Sequence, residues 1–353
     1  MSAAKQTVTG SRGIFAEIVR LQRSGRRAVL ATPLWHSGSV PLTAESKLLF
    51  LDDGSMLGTV GGGLLEAGVL AAAPEVLAQA KARVLEFELT QDQAARSGMI
   101  CGGRCAVLIE PLAPETTPEV FAAVAGAAPA GDPIVLITLL LPDGTTCKLA
   151  LRSDGDLVGG PVDADTAAHL REAAAEALAS ERPHYAEEPV RAHVDPILPR
   201  PTVFIFGAGH VAIPVAHIAG LVGFRVVVTD DRAEFANRER FPFADEVMVA
   251  AVEEAFEALH VHDDGYVVAI TRGHAMDEEV VAHALRTPAR YIGMIGSKRK
   301  VAGVLGRLRE HGFSDADLAR VHAPIGVDIE AETVEEIAVS IVAELIAVRR
   351  RNG

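Results

Sequence analysis

From residue 203 onwards, short apolar runs alternate with stretches of helical period. Val203-Phe-Ile-Phe206, Arg225-Val-Val-Val-Thr229, Glu246-Val-Met-Val249, Tyr266-Val-Val-Ala-Ile270 and Tyr291-Ile-Gly-Met294 read as strands. Residues 211–222, 252–259, 277–285 and 299–311 read as the helices that follow most of them. Strands that are apolar on both faces must be covered on both, which is the signature of a parallel sheet wound with helices on each side. The spacing therefore predicts a doubly wound α/β domain, closed by a long helix over 334–349. Thr333-Val-Glu-Glu336 fits a capping box at the start of that helix, and Ile337, Ile341, Leu345 and Val348 form its apolar face.

The pattern before residue 183 is different. A helix over 11–24 precedes the apolar run at 28–32. Two hairpins are expected, 47–51 with 56–60 and 134–141 with 145–151, because each pair flanks an Asp-Gly turn. Helices are expected over 64–81, interrupted near Pro74, and over 163–180. Hairpins mixed with helices predict an α+β domain. Between the two patterns, Pro183, Pro189, Pro196, Pro199 and Pro201 crowd one stretch and read as a linker. The expected organisation is a domain at 1–182, a linker at 183–201 and a Rossmann-like domain at 202–353.

Composition narrows the function classes. The 353 residues carry 33 Lys plus Arg against 47 Asp plus Glu, a net charge of −14, which disfavours general binding to nucleic acid or anionic membranes. No apolar run approaches the roughly 18 residues of a membrane span. The N-terminus lacks a basic start followed by an apolar core, and three cysteines make no disulfide framework, so a cytoplasmic protein is expected. Three thiols also fall short of the four that an iron–sulfur cluster usually takes.

Gly207-Ala-Gly-His-Val-Ala212 follows the first strand of the second domain and opens its first helix. The spacing of Gly207, Gly209 and Ala212 lets backbone approach a phosphate at a helix N-terminus, with His210 beside it. Asp230, at the end of the next strand, stands where an acid binds a ribose hydroxyl, and Asp231 with Arg232 leaves NAD and NADP both open. The alternative is a turn kept only for close packing. Arg272 and His274 follow the fourth strand, and Ser297 and Lys298 follow the fifth. All leave the carboxyl edge of the sheet, where such folds bind ligands. If the chain is an NAD(P)-dependent oxidoreductase, His274 is the acid or base.

The first domain offers two further features. Gly61, Gly62 and Gly63 lie between a strand and a helix, with Glu66 in the first helical turn, an arrangement able to turn several N–H groups on an anion. Cys101 is followed by Gly102 and Gly103, so little bulk shields its sulfur. A nucleophile, a persulfide carrier, a metal contact and a small buried hydrophobe are all consistent with it. Cys105, four residues on, makes a C-x-x-x-C spacing with it, which is weak evidence for a metal pair.

The chain resembles the XdhC/CoxI family of accessory proteins for xanthine dehydrogenase and related molybdenum hydroxylases. The resemblance runs through Gly58-Thr-Val-Gly-Gly-Gly-Leu-Leu-Glu66, Met99-Ile-Cys-Gly-Gly103, Phe206-Gly-Ala-Gly-His210, Asp230-Asp-Arg232 and Thr271-Arg-Gly-His274. It continues through Gly293-Met-Ile-Gly-Ser-Lys-Arg-Lys300, His322-Ala-Pro-Ile-Gly326 and the stretch from Glu335 to Leu345. It implies a chaperone that binds the molybdenum cofactor (molybdopterin) and protects it while a cysteine desulfurase installs its sulfido ligand. The cofactor then passes to an apo molybdenum hydroxylase of the xanthine dehydrogenase type. By the same resemblance Cys101 contacts the molybdenum or its sulfur, and the protein is a homodimer. The glycine turn at Gly207 then holds the pterin phosphate, a cofactor nucleotide, or NAD(P) as a separate ligand.

Overall fold

The computed structural model describes residues 10–43, 45–89 and 103–351, which form two compact units divided between Pro199 and Arg200. Cys101 and Gly102 lie outside the described residues.

The first unit contains two antiparallel sheets. One consists of β1 (Ala28–Gly38), β2 (Lys47–Leu51), β3 (Met56–Thr59), β4 (Arg83–Leu89) and β5 (Gly103–Leu112), in the order β3-β2-β1-β5-β4. The other consists of β6 (Ile134–Leu140), β7 (Thr146–Arg152), β8 (Leu157–Gly159), β9 (His184–Ala186) and β10 (Ala192–Ile197), in the order β8-β7-β6-β10-β9. Both expected hairpins are present. In the first, Asp53 accepts from the Ser55 amide at 2.9 Å and so fixes the Asp-Gly turn.

Side chains alternate between the two faces of each strand, so each sheet buries both. The helix α2 (Gly63–Gln79) places Leu65, Val69, Ala73 and Val76 on Val29, Ala31, Val107 and Ile109. Three more helices complete the unit: α1 (Gly10–Arg23), α3 (Pro118–Ala130) and α4 (Ala164–Ser180). The outer face of the second sheet, with Val135, Ile137 and Leu149, packs on Leu170, Ala174 and Ala177 of α4. Between the sheets Leu30, Leu49 and Leu112 meet Leu136, Ala150 and Ile197, with Ile14, Phe15 and Ile18 of α1 and Phe121 of α3 filling the same core.

Two expectations need correction here. The proline-rich stretch at 183–201 is not simply a linker, since 184–186 and 192–197 are strands β9 and β10 of the second sheet, with β10 pairing along β6. Proline is tolerated because Pro196 lies past the last residue that β9 pairs with, along an open sheet edge. Nor does Pro74 interrupt α2. It occupies the exposed face, where the carbonyl that loses its amide partner can turn to water.

The second unit is the expected doubly wound fold. It contains β11 (Thr202–Phe206), β12 (Arg225–Asp230), β13 (Glu246–Val249), β14 (Tyr266–Ala269), β15 (Tyr291–Met294) and β16 (Val321–His322), all parallel, in the order β13-β12-β11-β14-β15-β16. Numbered within the unit, that is 3-2-1-4-5-6, the order of dinucleotide-binding folds. Val203 and Ile205 face α5 (Ala212–Leu221) and α10 (Val334–Arg351). Phe204 and Phe206 face α6 (Val252–Ala258), α7 (His274–Leu285) and α8 (Lys298–Glu310). A short α9 (Asp315–Leu318) precedes β16. Among the described residues, no helix is long and apolar enough to cross a membrane.

Candidate functional site at the carboxyl edge of the parallel sheet

The strand order reverses between β11 and β14, the place at the carboxyl edge where folds of this class bind their ligands. Gly207 ends β11 with φ +105°, and a Cβ there would fall on the carbonyl oxygen of Ile270, so only glycine fits. Its amide donates to Thr229 O at 2.8 Å. Gly209 is in the opposite situation, with open space where a Cβ would stand. The turn leads into α5, whose first position has no side-chain cap, so its leading amides remain available. His210 is exposed beside them and Ala212 is buried under the turn.

Asp230 is 8% exposed and fully engaged within the chain. Its Oδ2 accepts from the Ala208 amide at 2.8 Å, and Arg232 grips both oxygens at 2.8 and 3.0 Å. Burial pushes this carboxyl up, but the hydrogen bonds from Arg232 and Ala208 outweigh it and hold the group at about 2. The Arg232 guanidinium in turn stacks 3.8 Å from the Phe235 ring centroid.

Arg272 pairs with Asp231 through two contacts of 2.7 Å each, joining the loops after β14 and β12. Thr271 donates to Asp277 from its amide and hydroxyl at 3.1 and 2.8 Å. Fully buried Asp277 also pairs with Lys300, so the loops at 271–277 and 296–300 are tied together. Ser297 caps α8 by accepting from the Lys300 amide at 3.3 Å, while Lys298 and Arg299 stay exposed without an ion pair among the described residues. His274 begins α7, exposed, directly after Gly273. The candidate residues of the second unit thus share one sheet edge, and its cationic side chains are largely matched by carboxylates. Available donors are mainly backbone amides.

Sequence reasoning missed two features. Arg240 returns to the glycine turn and donates to Ala208 O at 3.3 Å. The second is at Glu344 of α10, which accepts from Tyr291 Oη at 2.5 Å and the Gly326 amide at 2.8 Å, with His322 Nδ1 at 3.2 Å. Burial and the Glu344 bond push the Tyr291 hydroxyl well above its ordinary range. No local pattern marks Arg240, whose partner lies 32 residues away. His322 was visible only as part of a motif.

In the first unit, Gly61, Gly62 and Gly63 have φ of +94°, +75° and +56°, a run open to glycine alone. Thr59 Oγ1 accepts from the Gly61 amide at 3.1 Å and donates to Glu66, so Glu66 pins the turn from α2. Gly62, the N-cap of α2, has no side-chain cap and open space around its missing Cβ. A Cβ on Gly61 would meet Pro41, and one on Gly103 would meet Ser37 and Val40. The segment at 37–41 therefore brings the triple-glycine turn and Gly103 to the same end of the first sheet. Cys105, by contrast, is fully buried against the α2 face, and burial pushes its thiol up. Among the described residues no group of three His, Cys, Asp or Glu side chains is arranged to hold a metal ion.

Residues 203–345 match the model of the XdhC Rossmann domain, and residues 21–88 match that of the XdhC and CoxI family. The chain belongs to the XdhC and CoxI family. Relatives extend over both units. A Bacillus subtilis protein named as a probable xanthine dehydrogenase subunit is 27% identical over 92% of this chain and 94% of its own length. An uncharacterized Escherichia coli protein, YqeB, is 26% identical over 95% of this chain, which spans only 46% of that relative. A crystal structure described as a xanthine dehydrogenase from Bacillus halodurans is similar over 96% of each chain, with 26% identity and a TM-score of 0.80.

Proposed function

We propose that this XdhC-type chain is an accessory protein of a xanthine dehydrogenase. On this reading it binds the molybdenum cofactor as cargo, shields it during sulfuration by a cysteine desulfurase, and delivers it to the apo hydroxylase. The observation that carries the reading is that matches to the family fall in both units, in order, and that the likeness to the B. halodurans structure runs over nearly the whole chain. The chemistry supports it. The cargo is an anionic pterin phosphate with a sulfur-rich metal centre, and both units offer glycine turns with uncapped helix amides at one end of a sheet. On this reading Cys101, two residues before Gly103 in the sequence, supplies the soft sulfur ligand for the metal centre.

The rival reading, an NAD(P)-dependent oxidoreductase with His274 as acid or base, draws on the 3-2-1-4-5-6 strand order. The state of Asp230 works against it. Both of its oxygens are spent on Ala208 and Arg232, leaving little acceptor capacity for a ribose diol.

Anaerobic binding of isolated molybdenum cofactor tests the proposal, with molybdenum and pterin counted per chain for wild type and Cys101→Ala. Near-stoichiometric retention by wild type that the substitution abolishes is the expected result. Retention by both proteins removes Cys101 from the contact list. Retention by neither, together with saturable NAD(P)H binding, would overturn the chaperone reading in favour of its rival.

A further inference from the structure

The first unit contains a cavity of about 270 Å³ between its two sheets. Arg83, Val84 and Leu108 line it from the first sheet, and Leu140, Thr146 and Arg191 from the second. Its rim is joined where the Ala82 amide donates to Gly144 O at 3.0 Å. The turn at 141–145 and Arg191 leave it open to solvent on one side, so a small ligand can enter from the surface. Its walls are apolar at Val84, Leu108 and Leu140, while Thr146 adds a polar group to the lining. Thr146 donates there to Glu110 at 3.0 Å, and behind it Glu110 is paired with Lys148 at 2.6 Å, both residues almost completely buried. Lys148 also donates to Thr138 at 2.8 Å.

The two arginines differ. Arg83 is matched by Glu75 at 2.6 Å. Arg191 is exposed, and its guanidinium donates to the Tyr185 hydroxyl at 3.2–3.4 Å; among the described residues no carboxylate lies within ion-pair distance of it, Glu187 being farther off. A guanidinium without a carboxylate partner at the mouth of an apolar cavity favours a planar anion, which it can hold by two parallel hydrogen bonds.

We propose that this cavity binds a small carboxylic acid, an apolar ring-sized body seated between Val84, Leu108 and Leu140 with its carboxylate on Arg191. The volume lies just below the range of about 300–1,000 Å³ typical of drug-sized ligand sites, which suits a small ligand. The site is separate from the glycine turns and does not depend on the cofactor reading.

The test titrates the full chain with benzoate and with its neutral isostere benzamide. Trp35, the chain's single tryptophan, reports binding because it packs on the cluster of Leu34, Leu108 and Leu140. A saturable fluorescence change with benzoate is expected, weaker for benzamide by about fivefold, the upper range for an exposed charge contact. Arg191→Gln, at an exposed position, should remove that difference with an unchanged thermal midpoint. Val84→Phe, filling a half-buried wall, should abolish binding of both probes. No saturable response to benzoate overturns the proposal. So does equal affinity for the two probes, an Arg191→Gln variant that still prefers benzoate, or undiminished binding by Val84→Phe.

Discussion

Gly207 and Gly209 stand two residues apart and meet opposite demands. At Gly207 a methyl group would strike Ile270 O with φ already at +105°, whereas at Gly209 it would enter open space. Gly207→Ala is therefore expected to destabilise the second unit by about 2 kcal/mol or more, read from urea unfolding. Gly209→Ala should leave stability within about 0.5 kcal/mol while weakening any ligand that approaches the turn. His193 offers a second residue-scale prediction. It is buried between the sheets, and desolvation lowers its imidazole from 6.5 to about 4. The unfolded chain then takes up this proton at a higher pH than the folded one. Stability should fall as pH drops from about 6.5 to 4, at up to about 1.4 kcal/mol per pH unit, and level off below. His193→Gln should remove this share of the slope in equilibrium unfolding measured across that range.

At the scale of elements, the parallel sheet was legible from sequence because each strand is a short apolar run bounded by turns. All five expected strands appear, in a six-stranded sheet whose last member, β16, is only two residues long. The helix α7 starts at His274 rather than 277 because Gly273 is extended and the loop is tied to Asp277. The first unit was less legible. Strands β4 and β5 pair with each other along seven positions, yet the sequence between Leu89 and Gly103 contains no Asp-Gly pair to announce a hairpin. Strand β10 was hidden by its prolines, and with it went the partner of Lys47. That lysine on β2 meets Asp195 on β10 at 2.7 Å, both nearly fully buried. Lys47→Met should cost about 3–5 kcal/mol by leaving a buried carboxylate unpaired. Replacing both residues, Lys47→Met with Asp195→Leu, should cost clearly less, a non-additivity that a double-mutant cycle measures. Of the candidate site, the turn-forming glycines could be read from spacing, whereas the pairing of Arg272 with Asp231 and of Lys300 with Asp277 could not. Those pairs depend on which loops the winding of the sheet brings side by side.

For the whole molecule, the division at Pro199 and Arg200 makes a sharp statement about where the chain can be cut. Residues 200–353 carry the complete six-stranded sheet with Arg200 bound to Asp245, so this fragment should fold alone and unfold cooperatively. A fragment ending at residue 182 would lose β9 and β10, leaving β6 paired on one side only, with β7, and Lys47 without Asp195. It should lack a cooperative transition, whereas one ending at 199 should show it, a contrast that circular dichroism during heating can check.

The lateness of β10 also sets a clock for the newborn protein. Lys47 leaves the ribosome early, but the acid that neutralises it in the core is the last part of its unit to be made. At about 5–20 residues per second, the interval is on the order of ten seconds. Until it ends the two sheets cannot close on each other, and the apolar inner faces of both remain open to whatever else is being made nearby.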